Sequence, residues 1–436
     1  MKPNGMVDDS IHYLHGQFET AKIYRAYIVI ENGKIRASHP ELLAPITEFL
    51  KDCPDWDDHE AIFVGREPGI NTLFFAFVHN THRGLAQGGL RLRHYGSVRE
   101  VFVDGLRLAQ GMTRKNALAG LWWGGGKGII PLPNDVAEAT DLEAGHWRRR
   151  EIFRAYGRFI ASLGGIYYTA EDMGTKTEDM DTILGENRFI TCTSTARGGS
   201  SNPSPFTARG VFRAMQAAWG FLGNPEDLKG VRIAVQGAGN VGYPLIEQLD
   251  RAGAIVYAAD TRRDAIKKIE KNCSRVRIEN TEQILYLDVD ILAPCAQGAV
   301  IHSDMIPGIK AKLICGAANN ILKNPTEDSE LLREKGITFI PDYLCNRMGI
   351  MNCADEWCGG YFVDADEAER EIEKIYADTL EILQDAKEKG RTPVASADAR
   401  ADKASREFLP PELLRGRGQK LIRRLVNSRW SGGGSS

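Results

Sequence analysis

The sequence has little that would place it in a membrane or on nucleic acid. No run reaches the roughly 20 apolar residues that a membrane-spanning helix needs, and residues 1–10 lack the apolar core of a secretory signal peptide. The formal net charge is only −3, whereas proteins that bind phosphate backbones usually carry a basic excess. We therefore expect a cytoplasmic protein whose ligands are small molecules, with no nucleic-acid or membrane partner.

The chain also lacks paired cysteines. Its eight cysteines are scattered over 436 residues without a CxxC motif, which favours reduced thiols over a disulfide framework. Cys345, Cys353 and Cys358 cluster, but their gaps do not match the common zinc spacings and no histidine lies nearby. We interpret them as buried thiols and predict no bound metal.

What the sequence does contain is enough apolar residues for more than one core. It is 43% hydrophobic and 26% charged, which is ordinary for a globular protein with two or three domains. Residues 61–93 alternate β-branched and aromatic runs with turn formers, which predicts mainly antiparallel strands. From Ser97 a capping box with Glu100 and apolar residues at helical spacing predict a helix.

The second half alternates short apolar runs with helical segments from about residue 207. This pattern predicts a parallel sheet with crossover helices. A long amphipathic helix follows and ends at Gly390, and we expect it to pack back on the first domain. The predicted fold class is therefore α/β with two domains, a substrate/catalytic α/β domain and a Rossmann-type NAD-binding domain, with an active-site cleft between them.

These patterns divide the chain into an N-terminal extension (1–40), a substrate/catalytic domain (41–205), a dinucleotide-binding domain (206–345), a C-terminal helix returning to the substrate domain (346–390) and a polar, basic tail (391–436). The tail ends in SGGGSS, which is typical of a flexible linker. We favour a weakly ordered tail with a short basic helix. The alternative is an element that docks on the rest of the protein.

A glycine-rich turn follows the strand-like run VRIAVQ. Gly237, Gly239 and Gly242 form G-x-G-x-x-G, with Asn240 and Val241 inside the motif. Glycines let the backbone turn tightly and approach a pyrophosphate, which then lies on the free N–H groups of the following helix. The turn therefore predicts a dinucleotide site.

An acidic residue, Asp260, ends the next apolar run about 20 residues further on, as a ribose-binding carboxylate does. A carboxylate there repels a 2′-phosphate, so we predict NAD rather than NADP. Arg262 and Arg263 follow and would weaken that preference. The alternative role of Asp260 is a helix N-cap or turn residue.

Two lysines flank the apolar run GMTRKNALAGLWWGGGKG (111–128). Lys115 lies three residues after Met112 and seven after Leu108, so it shares the apolar face of its helix. Because burying an unpaired ammonium is costly, an inward lysine suggests a bound anion such as a substrate carboxylate. The alternative is a lysine beyond the helix end that reaches into solvent.

The second lysine, Lys127, follows two tryptophans and three glycines. Burial and a second ammonium nearby would lower its pKa and suit it to proton transfer near neutral pH. The alternative is a tight loop with an exposed lysine. Asp172, at the end of the aromatic run in YYTAEDMGT, is a third candidate, and turn formation is its alternative.

Several segments together resemble, in family order, the glutamate/leucine/phenylalanine/valine dehydrogenases. The elements GG-x-R, GM-x-x-K and GG-x-K-G are followed by TAEDMGT, NPSPFTARGV (202–211), AVQGAGNVG, APCAQGA (293–299) and GAANN (316–320). Together they cover roughly residues 60–385. The resemblance is carried by many ordered motifs, so chance is implausible.

The resemblance implies a role for each of the three candidates. Lys115 would bind the substrate α-carboxylate, Lys127 would activate the water that exchanges with the imine, and Asp172 would move protons to and from the substrate nitrogen. The implied reaction is reversible oxidative deamination, in which an L-amino acid passes a hydride to NAD and the iminium is hydrolysed to a 2-oxo acid and ammonia.

The resemblance also implies cofactor contacts outside the glycine turn. Thr207 would hold the nicotinamide amide, and Asn319 would lie near the nicotinamide ribose and the substrate, with Asn320 as the neighbouring alternative. Family members are usually oligomeric, so a homo-oligomer is expected.

Two positions bear on the substrate. Glutamate-specific members hold the side-chain carboxylate with a lysine before the glycine pair and a serine in a later loop. Here Gln87 precedes Gly88 and Gly89, and Cys353 stands in the later loop after Ile350. Without a cation a second carboxylate would be buried unpaired. The expected substrate is therefore leucine, valine, isoleucine or phenylalanine.

One loop departs from the family pattern. The usual N-A-G-G is NRMG here, so Arg347 and Met348 replace two small residues beside the substrate pocket. Arg347 could pair with a substrate side chain or face solvent, which leaves open the same chemistry on a polar, aromatic or acidic amino acid. A non-catalytic NAD-binding regulatory protein is a third interpretation. The joint presence of Lys115, Lys127 and Asp172 argues against it.

Overall fold

The computed structural model describes residues 5–132, 142–199, 202, 204–296, 298–358, 365–406, 422 and 425–426. The chain forms two compact units, which we call unit 1 (Met1–Ser201 with Lys403–Ser436) and unit 2 (Asn202–Asp402). Three predictions concern parts of the chain outside the described residues: those for the Cys358 side chain, the basic segment after residue 406 and the terminal SGGGSS. Within the described ranges, no helix combines the length and apolar character that a bilayer span requires.

Unit 1 is built on a seven-stranded sheet with the order β2-β1-β3-β4-β6-β5-β7. Every pair from β2 to β6 is antiparallel, whereas β5 runs parallel to both β6 and β7. The predicted antiparallel start is confirmed, and β5 brings its carboxyl end beside that of β7. The strands are β1 (Arg25–Glu31), β2 (Lys34–Ala37), β3 (Ala61–Arg66), β4 (Leu73–Asn80), β5 (Ala86–Arg93), β6 (Gly124–Pro131) and β7 (Tyr167–Glu171).

The helices described in unit 1 before residue 201 are α1 (Gly5–Asp8), α2 (Ile11–Thr20), α3 (Pro40–Lys51), α4 (Val98–Leu118), α5 (Leu142–Ser162) and α6 (Thr177–Leu184). The start of α4 is the predicted one, because the Ser97 hydroxyl accepts a hydrogen bond from the N–H of Glu100 at 3.3 Å. Its apolar face packs on β4 and β6 and buries Phe102, Leu106 and Ala109. This packing brings the carboxyl half of α4 over β6.

The first 40 residues differ from the expected extension. β1 pairs with β3, with Val29 opposite Ala61, and Leu14, Phe18 and Ile28 are fully buried in the core of unit 1. These apolar residues make the segment an integral part of the sheet and its covering layer.

Unit 2 contains a six-stranded, entirely parallel sheet with the order β10-β9-β8-β11-β12-β13. This confirms the predicted alternation of strands and helices, and the two-residue strand β10 is an addition to it. The strands are β8 (Arg232–Gln236), β9 (Ile255–Ala259), β10 (Arg277–Ile278), β11 (Ile291–Pro294), β12 (Leu313–Ile314) and β13 (Thr338–Phe339).

The remaining described helices follow residue 201, and all but the end of the last belong to unit 2. They are α7 (Ser204–Phe221), α8 (Gly242–Arg251), α9 (Arg263–Asn272), α10 (Pro325–Glu334), α11 (Asp342–Cys345), α12 (Met348–Cys358), α13 (Ala365–Lys389) and α14 (Pro393–Arg406). Single 3₁₀ turns occur at Thr195–Arg197, Ile284–Tyr286 and Ile306–Gly308.

The long helix α13 differs from the expected return to the first domain. It belongs to unit 2, where it packs along α7. A Cβ at Gly210 of α7 would lie 2.8 Å from Cδ1 of Ile375, so the absence of a side chain lets the two helices approach closely.

The first part of the tail also differs from the weakly ordered segment that the sequence favoured. Residues 393–406 form α14, in which Val394, Ala397 and Ala401 are buried. These residues lie three and four positions apart, so they share one face of the helix. The docking alternative is therefore correct for this part of the tail.

Candidate active site

Lys127 and Asp172 form a buried ion pair in unit 1. Lys127 lies within β6 opposite Phe77 of β4, and its residue surface is 3% exposed. Its Nζ donates to Oδ2 of Asp172 at 2.6 Å. The alternative of an exposed lysine in a tight loop is wrong, because the three preceding glycines continue into a strand rather than a turn.

Glycines make this pair possible. A Cβ at Gly89 would lie 2.6 Å from Cβ of Asp172, and a Cβ at Gly88 would lie 1.8 Å from the carbonyl oxygen of Gly126. At Gly125 a Cβ would lie 2.1 Å from Oγ1 of Thr113. The glycine pair that the sequence placed at the substrate site therefore has a packing role, which is to bring β5 close to β6 and to the Asp172 carboxylate.

A second cation contacts the same carboxylate. Nε of Arg91 donates to Oδ2 of Asp172 at 3.2 Å, and Nη1 of Arg91 donates to both carboxylate oxygens of Asp104 at 3.1 and 3.2 Å. The hydroxyl of Tyr95 also donates to Asp104, at 2.7 Å. The site is therefore a chain of two anions and two cations rather than an isolated pair.

The protonation states of Lys127 and Asp172 follow from burial and from these neighbours. Burial lowers the pKa of Lys127, Asp172 opposes this change, and Arg91 adds to it. Burial alone would raise the pKa of Asp172, but Lys127 and Arg91 outweigh it and hold that pKa well below its usual value. The cation beside Lys127 in this balance is a guanidinium, whereas the sequence suggested a second ammonium.

Asp172 also forms the turn that was its alternative role. Its backbone N–H donates to Oγ1 of Thr175 at 2.9 Å, and the N–H of Thr175 donates back to the carbonyl of Asp172 at 3.0 Å. Arg149 holds the same loop, because its Nη2 donates to the carbonyl of Gly174 at 2.7 Å and its guanidinium pairs with Asp179 at 2.6 and 2.8 Å. Asp172 therefore forms the turn while its carboxylate contacts Lys127.

Lys115 lies in the last turn of α4 and is half-buried. The alternative that placed it beyond the helix end is therefore wrong. Its neighbour Asn116 is fully buried and donates to the carbonyl of Gly124 at 2.7 Å and, at 3.5 Å, to Oε1 of Gln87. Gln87 is 1% exposed and lies on β5 opposite Gly125 of β6.

The dinucleotide motif in unit 2 has a separate geometric reason for each glycine. Gly237 has φ of +95°, and a Cβ there would lie 2.8 Å from Cβ of Ala296. A Cβ at Gly242 would lie 1.9 Å from the carbonyl oxygen of Gly237, whereas one at Gly239 would meet nothing within 4 Å. Gly237 thus permits the turn, and Gly242 permits the close packing of α8. Gly239 leaves its backbone open to a ligand.

Asn240 and Val241 form the turn that leads into α8, which begins at Gly242. The N–H of Tyr243 donates to the carbonyl of Gly239 at 3.1 Å, so helical hydrogen bonding already starts inside the motif. These residues and the three glycines fit a bound pyrophosphate, because the loop leads directly into a helix N-terminus.

Asp260 ties this loop to the end of β9. Its Oδ2 accepts from the N–H of Ala238 at 2.8 Å, and its Oδ1 accepts from the N–H of Arg262 at 2.8 Å. The Arg262 guanidinium lies 3.5 Å from Oδ1. The turn role that was the alternative is therefore present, and the carboxylate still borders the glycine loop where a ribose would bind.

The nicotinamide candidates are distributed over two elements of unit 2. Thr207 lies in the first turn of α7 and is buried. Asn319 follows β12, and its Oδ1 accepts from Nδ2 of Asn346 at 2.9 Å. Asn320, the alternative, has φ of +53° and donates its backbone N–H to Asp342 at 2.9 Å. Asn346, which the sequence did not single out, thus orients Asn319.

Arg347 neither faces solvent nor presents a free charge. It is 3% exposed and forms an ion pair with Asp378 of α13. Met348 is also buried, and its Cγ lies 3.0 Å from the Cβ position of Gly210 in α7. The two bulky residues therefore pack against helices. Ile350 and Cys353, the substrate-side candidates, are buried in α12.

Arg91, the arginine of the GG-x-R element, and Asp104 are the main residues of the unit 1 site to which the sequence assigned no role. A signal for both was available. Arg91 lies two residues after Gly89, so strand alternation places both on one face of β5. Asp104 lies eleven residues before Lys115, close to three helical turns, and therefore on the same face of α4.

Two protein-family descriptions match the sequence of this chain. The family described as Glu/Leu/Phe/Val dehydrogenase, dimerisation domain, matches residues 69–189, and the Glutamate/Leucine/Phenylalanine/Valine dehydrogenase family matches residues 198–268 and 256–405. The chain belongs to the glutamate/leucine/phenylalanine/valine dehydrogenase family. The predicted membership and the mixed α/β fold are confirmed, and the protein is an oxidoreductase of this family of amino acid dehydrogenases.

Individual members of the family are similar over most of the chain. Valine dehydrogenase of Streptomyces coelicolor is 37% identical over 82% of this chain and 94% of its own length. Leucine dehydrogenase of Bacillus subtilis is 39% identical over 81% of this chain and 93% of its own length. The crystal structure of L-tryptophan dehydrogenase from Nostoc punctiforme aligns with a TM-score of 0.64 at 32% identity, over 80% of this chain and 96% of that one.

Proposed function

We propose that this chain catalyses the NAD-dependent, reversible oxidative deamination of an apolar L-amino acid to its 2-oxo acid and ammonia. The observation that carries the proposal is the buried Lys127–Asp172 pair in a member of an amino acid dehydrogenase family. A lysine with a lowered pKa beside an ionised carboxylate suits proton transfer at carbon and nitrogen.

Each residue of unit 1 has a task in this reaction. Lys115 binds the substrate α-carboxylate, and the glycine pair at 88–89 lets β5 pack closely enough on β6 and on the turn at Asp172 to hold that carboxylate in place. Asp172, held as a carboxylate, accepts a proton from the substrate ammonium. Lys127 in its neutral form removes a proton from the water that attacks the iminium carbon.

Unit 2 supplies the cofactor contacts. When bound there, NAD would supply the hydride acceptor for the substrate α-carbon. Gly237, Gly239 and Gly242, with Asn240 and Val241, would hold the pyrophosphate, while Thr207 and Asn319 would hold the nicotinamide end. Asp260 would accept from the adenosine ribose hydroxyls, which favours NAD over NADP. Comparable kcat/KM with NADP would contradict that preference.

The proposed substrate class is leucine, valine, isoleucine or phenylalanine. Gln87 stands where a cation would hold a second carboxylate, and Arg347 is engaged by Asp378, so a charged side chain would be buried without a counter-ion. The similarity to valine and leucine dehydrogenases supports this class. The similarity to L-tryptophan dehydrogenase makes a larger aromatic amino acid the second candidate.

We also propose a homo-oligomer in the cytoplasm. The matched family description of residues 69–189 as a dimerisation domain supports self-association, which light scattering on the purified chain would measure. The cysteines of the described ranges are free thiols, as expected in a reducing compartment.

The test is an absorbance assay for NADH with each L-amino acid in turn. We expect turnover with branched aliphatic amino acids or phenylalanine, and little with glutamate. Activity on glutamate alone would contradict the substrate class. NAD binding without turnover of any amino acid would favour a regulatory protein.

The variant Lys127→Ala tests the role proposed for this lysine. Loss of this base should reduce kcat by about a hundredfold or more, while NADH binding, followed by fluorescence, stays within about twofold because the cofactor residues lie in unit 2. Loss of NADH affinity instead would mean that Lys127 does not have the assigned role.

A further inference from the structure

We propose that Arg91 is a positioning residue that keeps Asp172 ionised and oriented while Lys127 gains and loses its proton, with Asp104 and Tyr95 holding Arg91 in place. The inference rests on the function proposed above. It assigns a task to a side chain that contacts the reacting pair only through Asp172.

The first support is the geometry of the guanidinium. Arg91 uses Nε toward Asp172 at 3.2 Å and Nη1 toward both oxygens of Asp104 at 3.1 and 3.2 Å. The oxygen of Asp172 that it contacts, Oδ2, is the one that accepts from Nζ of Lys127 at 2.6 Å. Two donors converging on one oxygen fix the rotation of the carboxylate.

The second support is the anchoring of Asp104. This carboxylate lies in the second turn of α4 and accepts from the hydroxyl of Tyr95 at 2.7 Å. Arg93 approaches the same carboxylate at 3.9 Å but is 43% exposed at its side chain. Because α4 packs on β4 and β6, the position of Arg91 is set by a rigid helix rather than by a loop.

The third support is the balance of buried charge. Lys127, Asp172, Arg91 and Asp104 together carry no net charge when all are ionised. A base must become neutral at one point in the reaction, and Lys127 then ceases to be a counter-ion for Asp172. Arg91 stays protonated at any working pH, so Asp172 keeps a cationic partner throughout. Without it, a buried carboxylate would be stabilised only by the lysine that must lose its proton.

Other titratable groups near the pair do not replace Arg91 in this task. On β7, Glu171 accepts from Thr177 at 3.0 Å, and the hydroxyl of Tyr167 donates to the carbonyl of Gly88 at 2.5 Å. On α4, Asp104 is anionic and Lys115 lies three turns further along. A guanidinium on β5 is therefore the permanent cation that the geometry brings onto Asp172.

The sign of the expected effect is the same for both members of the pair. Removing the positive charge of Arg91 takes away a repulsion on protonated Lys127 and an attraction on ionised Asp172, so both pKa values rise. Neutral Lys127 then requires a higher pH. The acid limb of the kcat/KM profile should move upward by about 1 to 2 pH units, the usual effect of a charge at this range.

The experiment compares pH profiles of kcat/KM for amino acid oxidation in the wild type, Arg91→Gln, Arg91→Lys and Tyr95→Phe. We expect the upward shift in Arg91→Gln, a smaller one in Tyr95→Phe, which loosens Asp104 without changing any charge, and a profile within about half a unit of wild type in Arg91→Lys, which restores the charge. The substrate's own ionisations are common to all profiles, so the differences between profiles report on the enzyme.

Arg93→Gln is the matched control. It removes an arginine two residues along the same strand, but an exposed charge is screened by solvent, so the acid limb should not move. Circular dichroism and thermal melting establish which variants are folded. If Arg91→Gln does not fold, Tyr95→Phe and Arg91→Lys still discriminate between the outcomes.

A folded Arg91→Gln with lower kcat and an unmoved acid limb would overturn the proposal and leave Arg91 with a packing role alone. A measurement independent of turnover separates this result from failure of the proposed function. NMR titration of the lysine side-chain amines in isotope-labelled protein, with the Lys127 signal assigned by comparison with Lys127→Ala, reports its pKa in the folded protein whatever its exposure. A wild type whose Lys127 pKa is lowered but which oxidises no amino acid contradicts the function, whereas equal Lys127 pKa values in wild type and Arg91→Gln contradict the inference.

Discussion

At the scale of single residues, Gly89 and Asp172 show how a strand and a turn are fitted to each other. A Cβ at position 89 would lie 2.6 Å from Cβ of Asp172 and 3.0 Å from the carbonyl oxygen of Glu171. Real Cβ atoms do not approach so closely, so a side chain here would push the turn away from β5. The glycine is therefore required by the position of the carboxylate and not by any turn of its own.

We predict that Gly89→Ala lowers kcat/KM by about a hundredfold, because a displacement of about 1 Å at a reacting group has that order of effect. Steady-state assays and NADH fluorescence would measure it, and cofactor binding should stay near wild type. Gly16→Ala in α2, where a Cβ meets nothing within 4 Å, is the control and should retain full activity. Unchanged activity in Gly89→Ala would show that Asp172 tolerates the displacement.

At the scale of elements, a buried ion pair joins three helices of unit 2. Arg347, immediately before α12, pairs with Asp378 of α13, and Arg400 of α14 pairs with the same carboxylate. The Arg347 side chain is 3% exposed and that of Arg400 is 41% exposed. The departure from the family's N-A-G-G loop thus ties α12 to α13, and α12 carries the candidate substrate residues Ile350 and Cys353.

We predict that Arg347→Met lowers the free energy of unfolding by about 2 to 4 kcal/mol, since the largely buried Asp378 then keeps only the more exposed Arg400 as its partner. The ratio of kcat/KM for leucine over glutamate should stay close to wild type, because Arg347 is engaged by Asp378. Urea denaturation and steady-state kinetics are the measurements.

Two further variants sharpen this comparison. The double variant Arg347→Met/Asp378→Leu should lose less stability than the two single losses added together, and Arg400→Gln, which removes the exposed partner, should cost less than about 1 kcal/mol. A marked change in the ratio of kcat/KM for leucine over glutamate in Arg347→Met, in either direction, would show instead that the guanidinium contacts the substrate.

At the scale of the whole molecule, stability is coupled to pH through two buried histidines of unit 1. His59 and His79 lie edge to face with ring centroids 4.6 Å apart, and His79 Nδ1 lies 2.8 Å from Oγ1 of Thr113. Burial lowers the pKa of His79 to about 4 and that of His59 well below its usual value. Both rings are therefore neutral in the folded protein near pH 7.

The unfolded chain binds protons on these rings below about pH 6.5, whereas the folded chain does so only at lower pH. Their contribution to stability is therefore fully present above about pH 6.5 and is lost as pH falls toward 4. We predict that the free energy of unfolding in urea drops between pH 7.5 and pH 5. In His79→Gln the drop should be smaller by about 2 kcal/mol, from 1.36 kcal/mol per pH unit. An equal drop in both proteins would show that His79 does not carry the effect.

The two units divide the residues of the proposed reaction between them. Lys115, Lys127 and Asp172 belong to unit 1, and the glycine motif with Asp260 belongs to unit 2. Each unit has its own buried core, so each group of residues is positioned by a separate packing arrangement. This is why the Lys127→Ala and Gly89→Ala predictions keep cofactor binding intact.

Several features of the protein were determined by local sequence alone. The helix after Ser97, the strands of the parallel sheet and the G-x-G-x-x-G turn depend on capping, periodicity and glycine conformation, which act between residues close in the chain. The family motifs likewise identify Lys115, Lys127 and Asp172, because each motif carries its own residue.

Tertiary structure alone decided which charges meet. Arg91 and Asp172 are 81 residues apart, and their contact depends on the parallel pairing of β5 with β7, which no local pattern encodes. The same holds for Arg347, whose partner Asp378 lies 31 residues later on α13, and for the first 40 residues, whose place in the sheet depends on pairing with β3. Sequence thus identified the groups that could carry the chemistry, whereas strand pairing and helix packing determined the partners that set their charge and position.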